Sequence, residues 1–185
     1  MSNQNPSMIL WGQMNTSLAG QLRVAVTDMG LFAVDFDRPY TAFIQSLLRR
    51  APQATISQGR QATADACQQI QEYLQGERLI FNLAVDLTGL PGFQQQVLLA
   101  TLTIPYGQTA SYAEIAQAIG HPGAARAVGR AEATNPIPLV IPCHRVVGSD
   151  GKLHGYGGPG GISLKAKLLE LERTHSPEAS NSQPN

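Results

Sequence analysis

The run Ile141-Pro142-Cys143-His144-Arg145-Val146 holds the sharpest concentration of chemistry in this chain, and Gly155-Tyr156-Gly157-Gly158 follows close behind. A thiol is a strong nucleophile only as thiolate, and a free pKa of about 8.5 leaves little thiolate at neutral pH unless a base or cation stands near. His144 and Arg145 are near in sequence, although adjacent residues need not face one another. Cys143 follows a proline and lies among loop signals, where functional side chains are usually placed. These residues alone leave two readings open, a reactive thiol and a buried small hydrophobe. Cys67, the other cysteine, reads as a buried small hydrophobe. Neither cysteine has CxxC or Cys/His ligand spacing, so no disulfide framework and no metal site are expected.

The elements that must position this run show in the hydrophobic periodicity. Leu22, Val24 and Val26 alternate with polar residues, as do Leu31, Ala33 and Phe36, and Asp28-Met29-Gly30 between them predicts a hairpin. Tyr40 to Arg50 and Gln61 to Gln75 have helical spacing, the second with Ala66, Ile70 and Tyr73 or Leu74 on one face and Gly76 as a stop. Ile80 to Leu87 reads as a returning strand. Residues 1–90 thus form a small α+β domain whose residues show no clustered chemistry, and a scaffold role is expected of it. Thr88-Gly89-Leu90-Pro91-Gly92 interrupts both periodicities and marks a boundary.

Residues 91–173 read as a second, mainly helical domain. Phe93, Val97, Leu98 and Leu102 fit a helix that Pro105-Tyr106-Gly107 breaks, and Ser111-Tyr112-Ala113-Glu114 is a capping box that opens another. Gly120-His121-Pro122-Gly123 ends that helix, and Ala124 to Thr134 is a third, rich in Ala and Gly. Two short helices joined by a Gly-containing turn resemble a helix-turn-helix. Ser163 to Glu172 is helical with Leu164, Leu168 and Leu171 inward, and residues 174–185 read as a disordered polar tail. The fold class is α+β.

Charge constrains the partner weakly. Formal net charge is zero, which argues against a strongly electrostatic hold on nucleic acid, but residues 91–173 carry seven Lys/Arg against five Asp/Glu while residues 1–90 carry six against seven. Any DNA binding must rest on a few placed cations. No apolar run approaches the length of a membrane span, and MSNQNPS lacks a secretory signal, so a cytoplasmic protein without membrane association is expected.

The stretches FQQQV, IPYGQTASYAEIAQAIG, ARAVGRA, NPIPLVIPCHRVV and GYGG, in that order from Phe93, resemble the catalytic domain of the O6-alkylguanine-DNA alkyltransferases, also called methylated-DNA-protein-cysteine methyltransferases. The first half is similar to that family's variable N-terminal domain in length and layout. The resemblance implies a single-turnover transfer of an alkyl group from guanine O6 in double-stranded DNA to Cys143, without cofactor, by a monomer. It leaves open whether O4-alkylthymine is a second substrate. By the same resemblance His144 would take the thiol proton through a water, Glu172 would orient His144, Asn135 would brace the turn presenting Cys143, and Tyr112 would donate toward guanine N3. Arg126 would fill the space of a flipped nucleotide. Arg130, one turn further along that face, could reach a phosphate, and Ala125, Ala127 and Gly129 would let the backbone approach DNA. Tyr156, Gly157 and Gly158, with Pro138 and Val146, would wall the alkyl pocket. Two departures stand out: Gly157 replaces the hydroxyl residue of some members, and Leu98 replaces a familiar Trp. His121, His154 and His175 receive no role and read as surface residues. Two competing readings are a non-catalytic lesion sensor or ordinary helix-turn-helix DNA binder, and a Cys/His hydrolase. The first does not need Cys143, and the second leaves the ARAVGRA helix unexplained.

Overall fold

A computed structural model describes residues 6–153 and 161–176. Alternating apolar residues and tight turns make the first third an antiparallel meander of β1 (Met8–Thr16), β2 (Gly20–Thr27) and β3 (Gly30–Phe36). The expected hairpin joins β2 to β3. β4 (Thr55–Gln58) adds parallel to β1, giving the order β3-β2-β1-β4. Neither β1 nor β4 was expected. β4 is a short edge strand with Ile56 as its single apolar residue, too few terms for an alternation to register. Strand alternation sends Leu22 and Val24 to one face of the sheet and Ala25 to the other. The register of β3 slips at Phe32, which has no partner in the ladder, so that Phe32 and Ala33 both reach the second face.

Helices cover both faces. α1 (Tyr40–Arg50) sets Phe43 and Leu47 against Ile9, Trp11 and Phe32. α2 (Ala64–Leu74), three residues shorter at its start than its periodicity suggested, brings Ala66, Ile70, Tyr73 and Leu74 to the opposite face. Residues 80–87 correct the expected strand: they touch β3 through a single bridge from Leu31 to Val85, flanked by Leu31 N donating to Ala84 O (2.8 Å) and Asp86 N donating to Leu31 O (2.8 Å). Val34 N on the same edge instead donates to Pro136 O at 2.8 Å. Two segments share the edge, so neither forms a continuous ladder. The alternation of Phe81, Leu83, Val85 and Leu87 reports packing against the core rather than strand pairing.

The expected boundary is a tight crossing of chains. Gly89 has φ +79°, and a Cβ there would lie 2.2 Å from Arg50 O, so a side chain would be both strained and obstructed. Arg50 holds the approach by donating from Nη2 to Asp86 O (2.7 Å) and Thr88 O (3.1 Å).

Beyond it follow α3 (Gly92–Leu102), β5 (Ala110–Ser111), α4 (Tyr112–Ala118), α5 (Ala125–Ala133), a 3-10 turn (Cys143–Arg145), β6 (Val146–Val147) and α6 (Gly161–His175). The capping box at α4 is complete: Ser111 Oγ accepts from Glu114 N (3.1 Å) and Ser111 N donates to Glu114 Oε2 (2.6 Å). α6 departs from expectation twice. It runs on through Thr174 and His175, which therefore belong to a helix and not to a tail; residues 177–185 lie outside the described residues. Its buried face is Leu164, Lys165, Leu168 and Glu172, with Leu171 only partly covered. One apolar cluster runs from Leu22 and Ile70 through Leu98 and Ile137 to Cys143 and Leu168, so the two halves share a core. Among the described residues no helix is long and apolar enough to cross a membrane.

Candidate active site

The segment from Asn135 to Arg145 is held as a rigid presentation loop. Asn135 Nδ2 donates to Ile141 O and its Oδ1 accepts from Ile137 N, both at 2.9 Å, so one side chain clasps both arms. Ile141 N closes onto Ile137 O at 2.9 Å, and Leu139 between them adopts φ +73°. A non-glycine residue there costs about 1 kcal/mol or more, which the burial of Leu139 and the Asn135 clasp offset. The 3-10 turn then places Cys143, His144 and Arg145 in the interior, all buried. β6 follows at once, and its pairing of Val146 with Ala110 and Val147 with Ser111 ties this loop to the start of α4, where Tyr112 stands.

His144, Arg145 and Glu172 form one buried ionic group. His144 Nε2 lies 2.8 Å from Glu172 Oε1, and Arg145 donates to the same carboxylate from Nε (3.0 Å to each oxygen) and from Nη2 (2.8 Å). Gly107 N donates to Glu172 Oε2 at 3.0 Å, and Arg145 Nη1 donates to Ile104 O at 2.7 Å. Burial opposes ionisation of Glu172, but the hydrogen bonds and charges of His144 and Arg145 hold its carboxyl down to about 2. A buried carboxylate survives here because it is fully partnered. Burial pulls His144 below its ordinary value, against the raising effect of Glu172. Because the carboxylate can only accept, Nε2 carries the proton. Nδ1 is buried and, among the described residues, has no hydrogen-bond partner.

The thiol of Cys143 is held neutral. Burial pushes it up to about 12, Glu132 adds to the rise, and Asn135 and Lys165 act in the opposite direction. No standing thiolate follows at neutral pH, so its proton must leave at the moment of attack. Lys165 Nζ donates to Val146 O at 2.5 Å and lies 5.8 Å from the Tyr112 ring. Burial raises Tyr112 above its ordinary value, keeping the phenol a proton donor.

The sequence-derived residues do not all fall in one place. Cys143, His144, Glu172 and Asn135 stand together as described. Tyr112, Ala125 and Arg126 meet Gly148 and Asp150 around a surface recess of about 430 Å³. Arg126, Ala127 and Arg130 are exposed on α5, and Gly129 packs beside the Tyr112 ring. Pro138 joins Cys143, Glu132 and Asn135 in lining a cavity of about 360 Å³ between the halves. Val146 is fully buried in the helical core, in the cluster against which Tyr112 packs. Tyr156, Gly157 and Gly158, with His154, lie outside the described residues. His121 and His175 are exposed. Leu98 is wholly buried in the shared core, so its departure is accommodated as packing.

Four residues of the site escaped the sequence reading. Arg145 was noted only as a neighbouring cation. Lys165 and Glu132 each stand on the buried stripe of a helix, beside Leu164 and Leu168 and beside Val128 and Ala131, and a charge on an apolar stripe was a legible signal. Glu132 Oε1 accepts from Thr101 Oγ1, and Oε2 has no partner among the described residues. Tyr73 comes from the half expected to carry no chemistry. Its hydroxyl donates to Glu172 Oε1 at 2.6 Å and lies 3.0 Å from His144 Nε2, a juxtaposition that no local pattern could announce.

Comparison with known proteins shows the family. The family model for the 6-O-methylguanine DNA methyltransferase DNA binding domain matches residues 92–174, and that for the 6-O-methylguanine DNA methyltransferase ribonuclease-like domain matches residues 9–87. The inducible methylated-DNA-protein-cysteine methyltransferase of Bacillus subtilis is 35% identical over 172 residues, covering 93% of this chain and 92% of the relative. That of Mycobacterium bovis is 54% identical over 116 residues, 63% of this chain and 68% of its own. The crystal structure of Mycobacterium tuberculosis O6-methylguanine methyltransferase superposes with a TM-score of 0.76 at 41% identity, covering 92% of this chain and 96% of that one. The Mycobacterium tuberculosis protein in complex with DNA gives the same TM-score at 39% identity. The chain therefore belongs to the methylated-DNA-protein-cysteine methyltransferase family.

Proposed function

We propose that this protein repairs DNA by moving the alkyl group of O6-alkylguanine onto Cys143, once per molecule. The observation that carries the reading is a buried thiol followed in the chain by a histidine whose Nε2 is tied to a carboxylate and whose Nδ1 has no hydrogen-bond partner among the described residues. An alkylated O6 inside a duplex is hidden in the stack, so the nucleotide must be extruded at a cost of a few kcal/mol. The exposed Arg126 on α5, beside the recess that Tyr112 also lines, suits a side chain that holds the vacated space. Arg130 on the same face suits a phosphate contact. In the reaction the Cys143 S–H bond breaks and its proton passes toward His144 Nδ1 through a water. An S–C bond forms to the alkyl carbon as the C–O6 bond breaks, and the departing guanine is neutralised by a proton from Tyr112. The thioether left on Cys143 is not a leaving group, so each molecule is consumed by a single transfer.

The test is stoichiometry. Incubated with excess duplex carrying O6-methylguanine, the protein should restore one guanine per chain and then stop. Repair beyond one equivalent, or turnover of an ester or peptide instead, would replace this reading with a hydrolase. Binding without repair would replace it with a sensor.

A further inference from the structure

Tyr73 stands on α2, in the sheet-bearing half of the chain, yet it is buried together with His144 and Glu172 at 0% exposure for all three. Its hydroxyl donates to Glu172 Oε1 at 2.6 Å, which turns the phenolic oxygen's lone pairs toward His144 Nε2 at 3.0 Å. The Nε2 proton then has two acceptors, the carboxylate and the phenol. Turning the imidazole over would aim a carbon at both and forfeit both bonds within a fully buried group. We propose that Tyr73 is a positioning residue for the Cys143 reaction: its hydroxyl fixes His144 as the Nε2–H tautomer, lone pair on Nδ1, and makes the first half of the chain part of thiol activation. This rests on the alkyl-transfer reading and adds to it a residue outside the helical half.

The electrostatics of the group give the proposal a sign. Around His144 stand Glu172 and Lys165 from α6, Arg145 from its own turn and Tyr73 from α2. Lys165 and Arg145 disfavour an imidazolium, while Glu172 and the phenolic oxygen facing Nε2–H favour it. Removing the hydroxyl weakens the favourable side. His144 then accepts the thiol proton less readily, and Cys143 reacts only at higher pH.

Tyr73→Phe removes the oxygen and keeps the ring, with its contacts to Phe81 (centroids 5.1 Å apart) and Tyr106 (6.1 Å). Phe81→Leu is the control, loosening the same packing while leaving the hydroxyl. Rates of Cys143 modification by iodoacetamide and by O6-benzylguanine, located by peptide mass, are followed against pH. Tyr73→Phe should slow both about 10-fold near neutrality and move their rise to higher pH, while Phe81→Leu lowers Tm and leaves the pH profile in place. An unchanged profile in Tyr73→Phe, or an equal displacement in Phe81→Leu, overturns the proposal. Should Tyr73→Phe fail to fold, the nitrogen-15 spectrum of His144 in the parent protein decides: an Nδ1–H tautomer overturns it. If iodoacetamide reports the expected displacement but O6-benzylguanine never reacts with the parent, the alkyl-transfer reading has failed and the role of Tyr73 stands.

Discussion

Helix α5 turns the carboxyl of Glu132 inward, onto the cavity that Cys143 also lines. Burial raises it to about 7 against the lowering effect of Thr101 and Lys165. A group whose folded pKa is raised stabilises the protein below its unfolded value near 4.5 and loses that contribution as pH rises through 7. The difference amounts to about 3 kcal/mol by pH 8. Glu132→Gln keeps an acceptor for Thr101 and cannot ionise. It should flatten the decline in urea-measured stability between roughly pH 5 and 8, and it should raise Cys143 reactivity on the alkaline side by removing a charge that opposes the thiolate. Parallel stability curves for the two proteins would show that this carboxyl ionises alike in the folded and unfolded states, so that burial does not raise it. At this same scale the sequence was most informative where chemistry was local. Cys143, His144 and Asn135 sit within one loop, and Glu172 lay within reach of the family resemblance. Tyr73 and Glu172 meet across 99 positions of chain, and only the packing of α2 against α6 brings them together.

At the scale of elements, each helix start and turn that carries its own signal was legible. The Ser111–Glu114 box, the Gly30 turn and α1 from Tyr40 to Arg50 fall where composition puts them. What escaped depends on partners remote in sequence: β4 exists because β1 offers an edge, and residues 80–87 do not form a strand because Pro136 occupies part of β3. Helix α5 exposes Arg126 while burying Val128, Ala131 and Glu132, so one face serves the core and the other faces outward. If Arg126 holds the space of an extruded nucleotide, Arg126→Ala should slow repair on saturating duplex by roughly 10 to 1,000 fold. Reaction of Cys143 with the free base O6-benzylguanine should be nearly unchanged, because nothing must leave a stack. A parent-like rate on saturating duplex would make Arg126 only an anchor, with weaker binding and a smaller salt dependence. An equal fall on the free base would make it a support of the fold.

The whole molecule binds a sheet-bearing half to a helical half through one continuous core, with Cys143 inside it and Tyr73 reaching across to His144. Burial raises the thiol of Cys143 to about 12 and so keeps it neutral at rest, and on the proposed reading it loses its proton to His144 only as it attacks. On the proposed reading, the two exposed arginines of α5, Arg126 and Arg130, would do the work that a basic surface does elsewhere, and a net charge of zero does not speak against DNA binding. The central claim is that Cys143 itself receives the alkyl group. Intact mass of the protein after incubation with duplex containing O6-methylguanine, followed by peptide mapping, tests it most directly. Every molecule should gain the mass of one methyl group, carried on the peptide containing Cys143, and Cys143→Ser should gain none while still binding the duplex. A methyl group on Cys67, or repaired duplex with an unchanged protein mass, would contradict the account.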